Sequence, residues 1–186
     1  MENLTHLPPL VVPTPTRPIM PTDYGIPQDS AGMLSWDFAR ETLREARLYW
    51  LTTVSPDHRP HTTPNWAALV DDYLLFGTDA TTRKVKNLMH NPACTVAVHL
   101  ERANVSASGG ASEGKAVDPI MPLVVFLEGR VVVIHDAALI TRMDDDYERK
   151  YAMREGRPEA FAIIPHKVFA YAEFPRTPTR WVFGTL

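Results

Sequence analysis

The sequence has a single cysteine among 186 residues and little excess charge, with a formal net charge of −3. One cysteine cannot form an internal disulfide, so Cys94, which lies in an alternating apolar run, is predicted to be a buried structural thiol. The near-neutral charge excludes a global electrostatic footprint for nucleic acid. No apolar run approaches the roughly 20 residues that span a bilayer, so no membrane partner is expected. These features together predict a cytoplasmic protein.

Signatures of several enzyme classes are also missing. The sequence contains no HExxH motif, no cysteine-rich metal motif, no complete P-loop and no Gly-x-Gly-x-x-Gly. These motifs mark zinc sites, nucleotide-phosphate loops and dinucleotide-binding folds. Kinase and Rossmann-type functions therefore lack support, and no metal site is predicted.

Proline, in contrast, is concentrated at the N-terminus, where residues 1–30 hold seven of the 17 prolines. Proline fixes φ and removes a backbone donor, which disfavours both a helix and a central strand. We predict an extended N-terminal arm over residues 1–30. Its apolar residues leave two alternatives open: the arm lies across the body or a partner subunit, or it is a frayed tail.

Residues 31–186 are predicted to form one mainly β domain. Ser35 is a candidate N-cap for a helix over 36–46, and further helices are predicted over 82–90 and 137–153. Apolar runs bounded by turn residues predict strands over 48–54, 60–70, 73–78, 93–100, 123–135, 160–174 and 180–183. Residues 101–122, rich in small residues, are predicted to be a flexible loop insertion. Many strands with only connecting helices indicate a closed antiparallel barrel.

A hydroxyl-rich, basic helix start follows the third predicted strand, in residues 76–88 (FGTDATTRKVKNL). Helix starts leave backbone N–H groups without partners and carry a positive partial charge. The hydroxyls of Thr78 and Thr82, together with Arg83 and Lys84, are suited to hold a phosphate there. This pattern predicts a phosphorylated cofactor, and the alternative is an ordinary solvated helix start.

With the hairpin before it, this segment resembles the pyridoxamine 5′-phosphate oxidase-like superfamily of flavin-binding split β-barrels. The resemblance rests on the order and spacing of four segments. They are residues 47–54, 55–60 and 61–66 and the Thr-Thr-Arg-Lys-x-x-Asn-Leu…Asn-Pro segment. The chain is most similar to the branch that uses FMN or the deazaflavin coenzyme F420. The resemblance implies a six- to seven-stranded antiparallel split β-barrel of Greek-key type. It also implies a homodimer with cofactor sites at the interface, and hydride transfer to or from a small organic substrate.

The resemblance also implies which residues bind the cofactor. The residues implied to bind the phosphate are Thr78, Thr82, Arg83 and Lys84. Asn87 lies one helical turn further along the same face of the helix and is included with them. The ring is walled by the strand that carries His61, Pro64, Asn65 and Trp66, and the Arg180-Trp181 ending approaches the cofactor from the last strand. For Trp66 and Trp181 the alternative is packing in the core.

Two other functions remain open at this point. The barrel could be a non-catalytic carrier or sensor of flavin, deazaflavin or haem, or a structural dimer whose site has decayed. Oxidation of pyridoxamine phosphate itself is disfavoured, because the C-terminal Arg and His that grip the substrate phosphate in those oxidases have no match here.

Overall fold

The structure, a computed structural model, describes residues 1–100 and 123–184. The loop predicted over 101–122 lies outside these residues. In the described ranges no helix has the length and apolar character needed to cross a membrane. The cytoplasmic location stays a prediction.

Nine strands and three α-helices lie within the described residues. In chain order they are β1 (Asn3–Leu4), α1 (Trp36–Glu45), β2 (Tyr49–Val54), β3 (Pro60–Asn65), β4 (Ala68–Val70), β5 (Tyr73–Phe76), α2 (Arg83–His90), β6 (Ala93–Leu100), β7 (Leu123–Ile134), α3 (Ala137–Tyr151), β8 (Ala160–Tyr171) and β9 (Thr179–Val182).

All nine strands belong to one curled sheet. Its main path runs β3-β2-β6-β7-β8-β5-β4 with antiparallel pairing throughout, while β1 pairs in parallel with β7 and β9 pairs with β8. β3 and β4 stand at opposite ends of this path, yet only Trp66 and Ala67 separate them in the chain. The sheet must therefore curl until its ends meet, which confirms the predicted split barrel.

Two apolar clusters hold the barrel together. The first fills its interior, where inward-facing residues such as Val96 and Val98 alternate with exposed ones along β6. The second lies between the outer surface of the sheet and α3, around Met143. Cys94 belongs to the first cluster, and burial raises the pKa of its thiol to about 12. It is a structural thiol, as predicted.

The prediction of a single strand over 60–70 is wrong. The chain breaks at Trp66 and Ala67, so that β3 pairs with β2 while β4 pairs with β5. The reason lies in α3. The Tyr151 hydroxyl contacts both the N–H and the C=O of Ala67, at 3.4 and 3.2 Å, and the Tyr147 hydroxyl donates to the carbonyl of Trp66 at 2.8 Å. Two tyrosines thus replace the strand partners at the break.

The two parts of this segment keep antiparallel neighbours on either side of the break, and β5 also pairs with β8 along its other edge. A strand is predicted over residues 160–174, and the structure places it at Ala160–Tyr171. It is the single strand β8, whose pairing with β7 shifts register between Glu128 and Gly129. A Cβ at Gly129 would lie 2.4 Å from the Ile164 carbonyl oxygen, so glycine permits the close approach at this bulge.

The N-terminal arm lies across its own barrel. β1 extends the sheet beside Val133 and Ile134, and the Tyr73 hydroxyl donates to the carbonyl of Pro8 at 3.0 Å. The guanidinium of Arg17 donates to four backbone carbonyls, those of Asp29, Ala31, Arg176 and Pro178. The arm therefore has specific contacts with the body, while the boundary at residue 30 stays a prediction.

Candidate functional site

A cleft of about 420 Å³ opens where β3 and β5 end and α2 begins. This is the size range of small-molecule sites. The side chains and backbone that line it come from Leu48, Pro64, Asn65, Trp66, Gly77, Lys84 and Glu155. Four of the residues predicted from sequence, Pro64, Asn65, Trp66 and Lys84, are therefore brought together.

Trp66 forms an aromatic wall of the cleft. Its ring stacks on Tyr151 with centroids 4.8 Å apart and planes within 10°. Tyr151 in turn meets Tyr147 edge-on at 5.3 Å. Trp66 remains 44% exposed, so it is a surface side chain held flat by its neighbour and not a core residue.

A buried lysine supports this wall from behind. The Lys150 side chain is 2% exposed, and its Nζ donates to the Tyr49 hydroxyl at 2.8 Å and to the carbonyls of Arg44 and Ala46. Nζ also lies 5.6 Å from the ring centroid of Tyr151, a cation–π distance. Burial lowers the pKa of Lys150 to about 8. Sequence reasoning missed Lys150, because a lysine in a polar helical stretch gives no sign of burial.

The start of α2 supplies the basic side of the cleft. Thr82 is the N-cap residue, but its hydroxyl donates to the Asp79 carbonyl at 2.8 Å and its side chain does not cap the helix. Lys84 is half-buried and donates to Oδ1 of Asn65. Burial lowers the pKa of Lys84, and the charge of Glu155 opposes this effect. Arg83, by contrast, points outward and is not among the lining residues.

The other residues predicted on β3 and α2 lie deeper or beside the cleft. His61 shares the inward face of β3 with Asn65, and its Nδ1 is buried without a partner among the described residues, as is Oγ1 of Thr63. Asn87 is buried and donates to Oγ1 of Thr53 at 3.0 Å, which ties α2 to β2. Thr78 is half-buried just beyond β5.

Arg180 and Trp181 do not join the cleft within one chain. Trp181 is fully buried and meets Trp36 edge-on at 5.4 Å. Arg180 pairs with the arm, its N–H donating to the Thr16 carbonyl at 2.7 Å and its Nε to the Thr16 hydroxyl at 3.2 Å. A cofactor contact by either residue stays a prediction.

Glu155 is the charged lining residue that was not predicted from the sequence. It lies in the connection between α3 and β8, and Nε of Arg157 donates to its Oε2 at 2.8 Å. It belongs to no motif and is 71 positions away from Lys84 in the chain, so no spacing pointed to it. In the part of the chain that the structure describes, no group of His, Cys, Asp and Glu side chains is placed to hold a metal.

Solved structures share this fold at low sequence identity. A conserved hypothetical protein from Mycobacterium tuberculosis is 18% identical over 78% of this chain and 89% of its own, with a TM-score of 0.58. A FAD-binding protein from Mesorhizobium loti is 16% identical over 81% of this chain and 96% of its own, with a TM-score of 0.54. A heme binding protein from Mycobacterium smegmatis is 15% identical over 76% and 55%, with a TM-score of 0.58.

No curated protein matches the chain. The sequence pattern of the family described as pyridoxamine 5′-phosphate oxidase matches residues 35–173. This range runs from the cap of α1 past the end of β8 and contains every residue that lines the cleft. The chain therefore belongs to the pyridoxamine 5′-phosphate oxidase family.

Proposed function

We propose that this chain binds FMN or coenzyme F420 in the cleft and transfers a hydride between it and a small organic substrate. One observation carries the proposal: the half-buried Lys84, in the first turn of the uncapped helix α2, lines the same cleft as the flat Trp66 wall. A phosphorylated planar cofactor needs both features at once, a cationic position for its phosphate and an apolar surface for its ring.

The phosphate end fits the residues present. Lys84 supplies a charge, the first turn of α2 supplies backbone N–H groups that the Thr82 side chain leaves uncapped, and Gly77 allows close approach to the backbone. The Thr78 hydroxyl lies at the same strand end. Arg83, exposed at the rim, would add a planar set of donors to a phosphate that extends toward solvent.

The ring end also fits. Pro64 and Trp66 provide flat apolar contact. Nδ1 of His61 and Oγ1 of Thr63 are buried on the inward face of β3 and do not line the cleft, so a contact of His61 with the ring stays a prediction. Bound FMN or F420 supplies the hydride chemistry, so the protein itself needs no catalytic acid. Its residues bind the cofactor, orient it and exclude water from one of its faces.

Titration with FMN, F420 and haem tests this proposal. We expect FMN or F420 to bind with a shift of its visible absorption band, and the reduced cofactor to be reoxidised by at least one member of a panel of quinones and conjugated enones. Binding without turnover would indicate a carrier. Binding of haem alone, or of none of the three, would contradict the proposal.

A homodimer with cofactor sites at the interface is part of the same proposal. Residues paired directly across neighbouring strands lie side by side on one face, and the pairs link Trp50 to Ala97, Ala97 to Phe126 and Phe126 to Phe169. The rings of the half-buried Phe126 and Phe169 stack at 4.6 Å on this outer face, and Trp50 beside them is exposed. The Pro64 end of this row reaches the cleft, because Pro64 pairs with Trp50. A contiguous apolar strip of this kind is typical of an interface.

We expect light scattering to give twice the chain mass of 20.9 kDa for the wild type. The variant Phe126→Glu should be monomeric, because it would bury an unpaired charge in the interface. Its circular dichroism spectrum should be unchanged, because residue 126 does not lie in the barrel interior. Met89→Glu, which adds the same charge to an exposed apolar residue on α2, serves as the control and should remain dimeric. A wild type that is monomeric at micromolar concentration with cofactor present would contradict the dimer.

A further inference from the structure

An acidic side chain occupies the basic end of the cleft. The Glu155 side chain is only 16% exposed, and its carboxyl group packs on the backbone of Gly77. A Cβ built at Gly77 would lie 2.8 Å from Cδ and 3.1 Å from Oε2 of Glu155. The φ of Gly77 is not positive, so the glycine matters here for space: its missing side chain lets the carboxylate reach the end of β5.

The fold holds Glu155 in this place. Asp144, a buried acid of α3, accepts hydrogen bonds from the backbone N–H groups of Glu155 and Gly156 at 3.0 and 3.2 Å. Ala152 and Gly156 both adopt left-handed backbone conformations, with φ of 56° and 62°. These backbone conformations and hydrogen bonds fix the course of the connection after α3, and this position of the backbone places the Glu155 side chain in the cleft.

Arg157 forms an ion pair with this carboxylate at 2.8 Å, and Lys84 is the cation that lines the same cleft. Its Nζ donates to the neutral amide oxygen of Asn65, and in the described residues no carboxylate makes an ion pair with it. Glu155 acts on Lys84 through space, since its charge raises the pKa of Lys84 against the effect of burial. A phosphate that enters beside Lys84 would meet the negative charge of Glu155, which is only 16% exposed, so the repulsion is screened less than between surface charges.

We infer that Glu155, paired with Arg157 and placed against Gly77 in the same cleft as Lys84, is an internal counter-ion whose carboxylate opposes the phosphate of a ligand there. The inference rests on the proposed function, because it places that phosphate at Lys84. Removal of this charge therefore strengthens the binding of phosphate-bearing ligands and leaves the binding of the unphosphorylated ring unchanged. Glu155 is thus a specificity-determining residue that sets the affinity of the cleft for phosphorylated compounds relative to unphosphorylated ones.

The variant Glu155→Gln tests this role, because glutamine keeps the shape and an acceptor for Arg157 but removes the charge. We expect inorganic phosphate and FMN each to bind about ten-fold more tightly to the variant than to the wild type, the equivalent of about 1.4 kcal/mol. Riboflavin, which has the same ring and no phosphate, should bind both proteins equally. Calorimetry measures phosphate binding, and fluorescence quenching measures FMN and riboflavin binding.

Glu148→Gln is the matched control, since this exposed acid of α3 pairs with Arg154 outside the cleft. It should bind all three ligands as the wild type does, and thermal unfolding should show that both variants are folded. No gain in phosphate affinity for Glu155→Gln would overturn the inference, and so would equal gains for riboflavin and FMN. If phosphate binds more tightly to Glu155→Gln while neither FMN nor F420 binds any form, the counter-ion role stands and the proposed function fails.

Discussion

Replacing Trp181 with alanine is expected to lower the free energy of unfolding by about 3–5 kcal/mol. Trp181 is the largest of the fully buried side chains, and it lies in the barrel interior against the ring of Trp36. Its removal leaves a cavity that neighbouring strands cannot close, because they are fixed by hydrogen bonds on both sides. Urea denaturation followed by fluorescence measures the loss.

The matched control for Trp181 is Trp66→Ala, which removes the same ring from the wall of the cleft. It should cost less than about 1.5 kcal/mol of stability, the scale of an aromatic stacking pair, and should weaken cofactor binding instead. A loss below about 1 kcal/mol for Trp181→Ala would contradict its assignment to the core. Trp181→Phe keeps most of the packing, and its cofactor affinity tests whether Trp181 also contacts the ligand.

Replacing Lys84 with alanine is expected to weaken FMN or F420 binding by about 10- to 150-fold, or about 1.5–3 kcal/mol. Lys84 is half-buried and lines the cleft, so its charge interacts with a phosphate through a medium less polar than water. Arg83→Ala should cause a smaller loss, because Arg83 is exposed and its interaction with the phosphate is screened by solvent. Equilibrium titration of each variant gives the dissociation constants.

Lys86→Ala provides the control on the same helix, since Lys86 is exposed and does not line the cleft. Riboflavin binding should be nearly insensitive to Lys84→Ala, because the ring does not need the charge. Unchanged FMN and F420 affinity in both Lys84→Ala and Arg83→Ala, with the wild type binding at least one of them, would remove the phosphate from the start of α2.

Local sequence patterns predicted the elements whose causes are local. β6 runs over 93–100 as expected, since Asn91-Pro92 precedes it and apolar residues alternate along it. α1 begins after Ser35, whose hydroxyl accepts from the N–H of Phe38 at 3.2 Å. The break at Trp66 was not predictable in this way, because the groups that cause it, Tyr147 and Tyr151, lie more than 80 positions away.

The residues of the candidate site show the same difference between local and long-range causes. Pro64, Asn65, Trp66 and Lys84 were grouped correctly, because a strand end and the helix start that follows the next hairpin were both visible in the sequence. Exposure was not visible, so Arg83 and Lys84 were both predicted to hold the phosphate, although only Lys84 of the two lines the cleft. Glu155 and Lys150 reach the site through the packing of α3 on the barrel, which no pattern of neighbouring residues encodes.

The two ends of the sheet meet beside the cleft, and this gives a ligand a mechanical role. Among the strands of the described residues, β3 pairs with β2 alone and β4 with β5 alone, and α3 bridges the gap between them. A ligand that contacts both Asn65 at the end of β3 and Gly77 beyond β5 links the two ends of the sheet. Part of its binding free energy then stabilises the closed barrel. Tighter ligand binding and a larger free energy of unfolding therefore accompany each other.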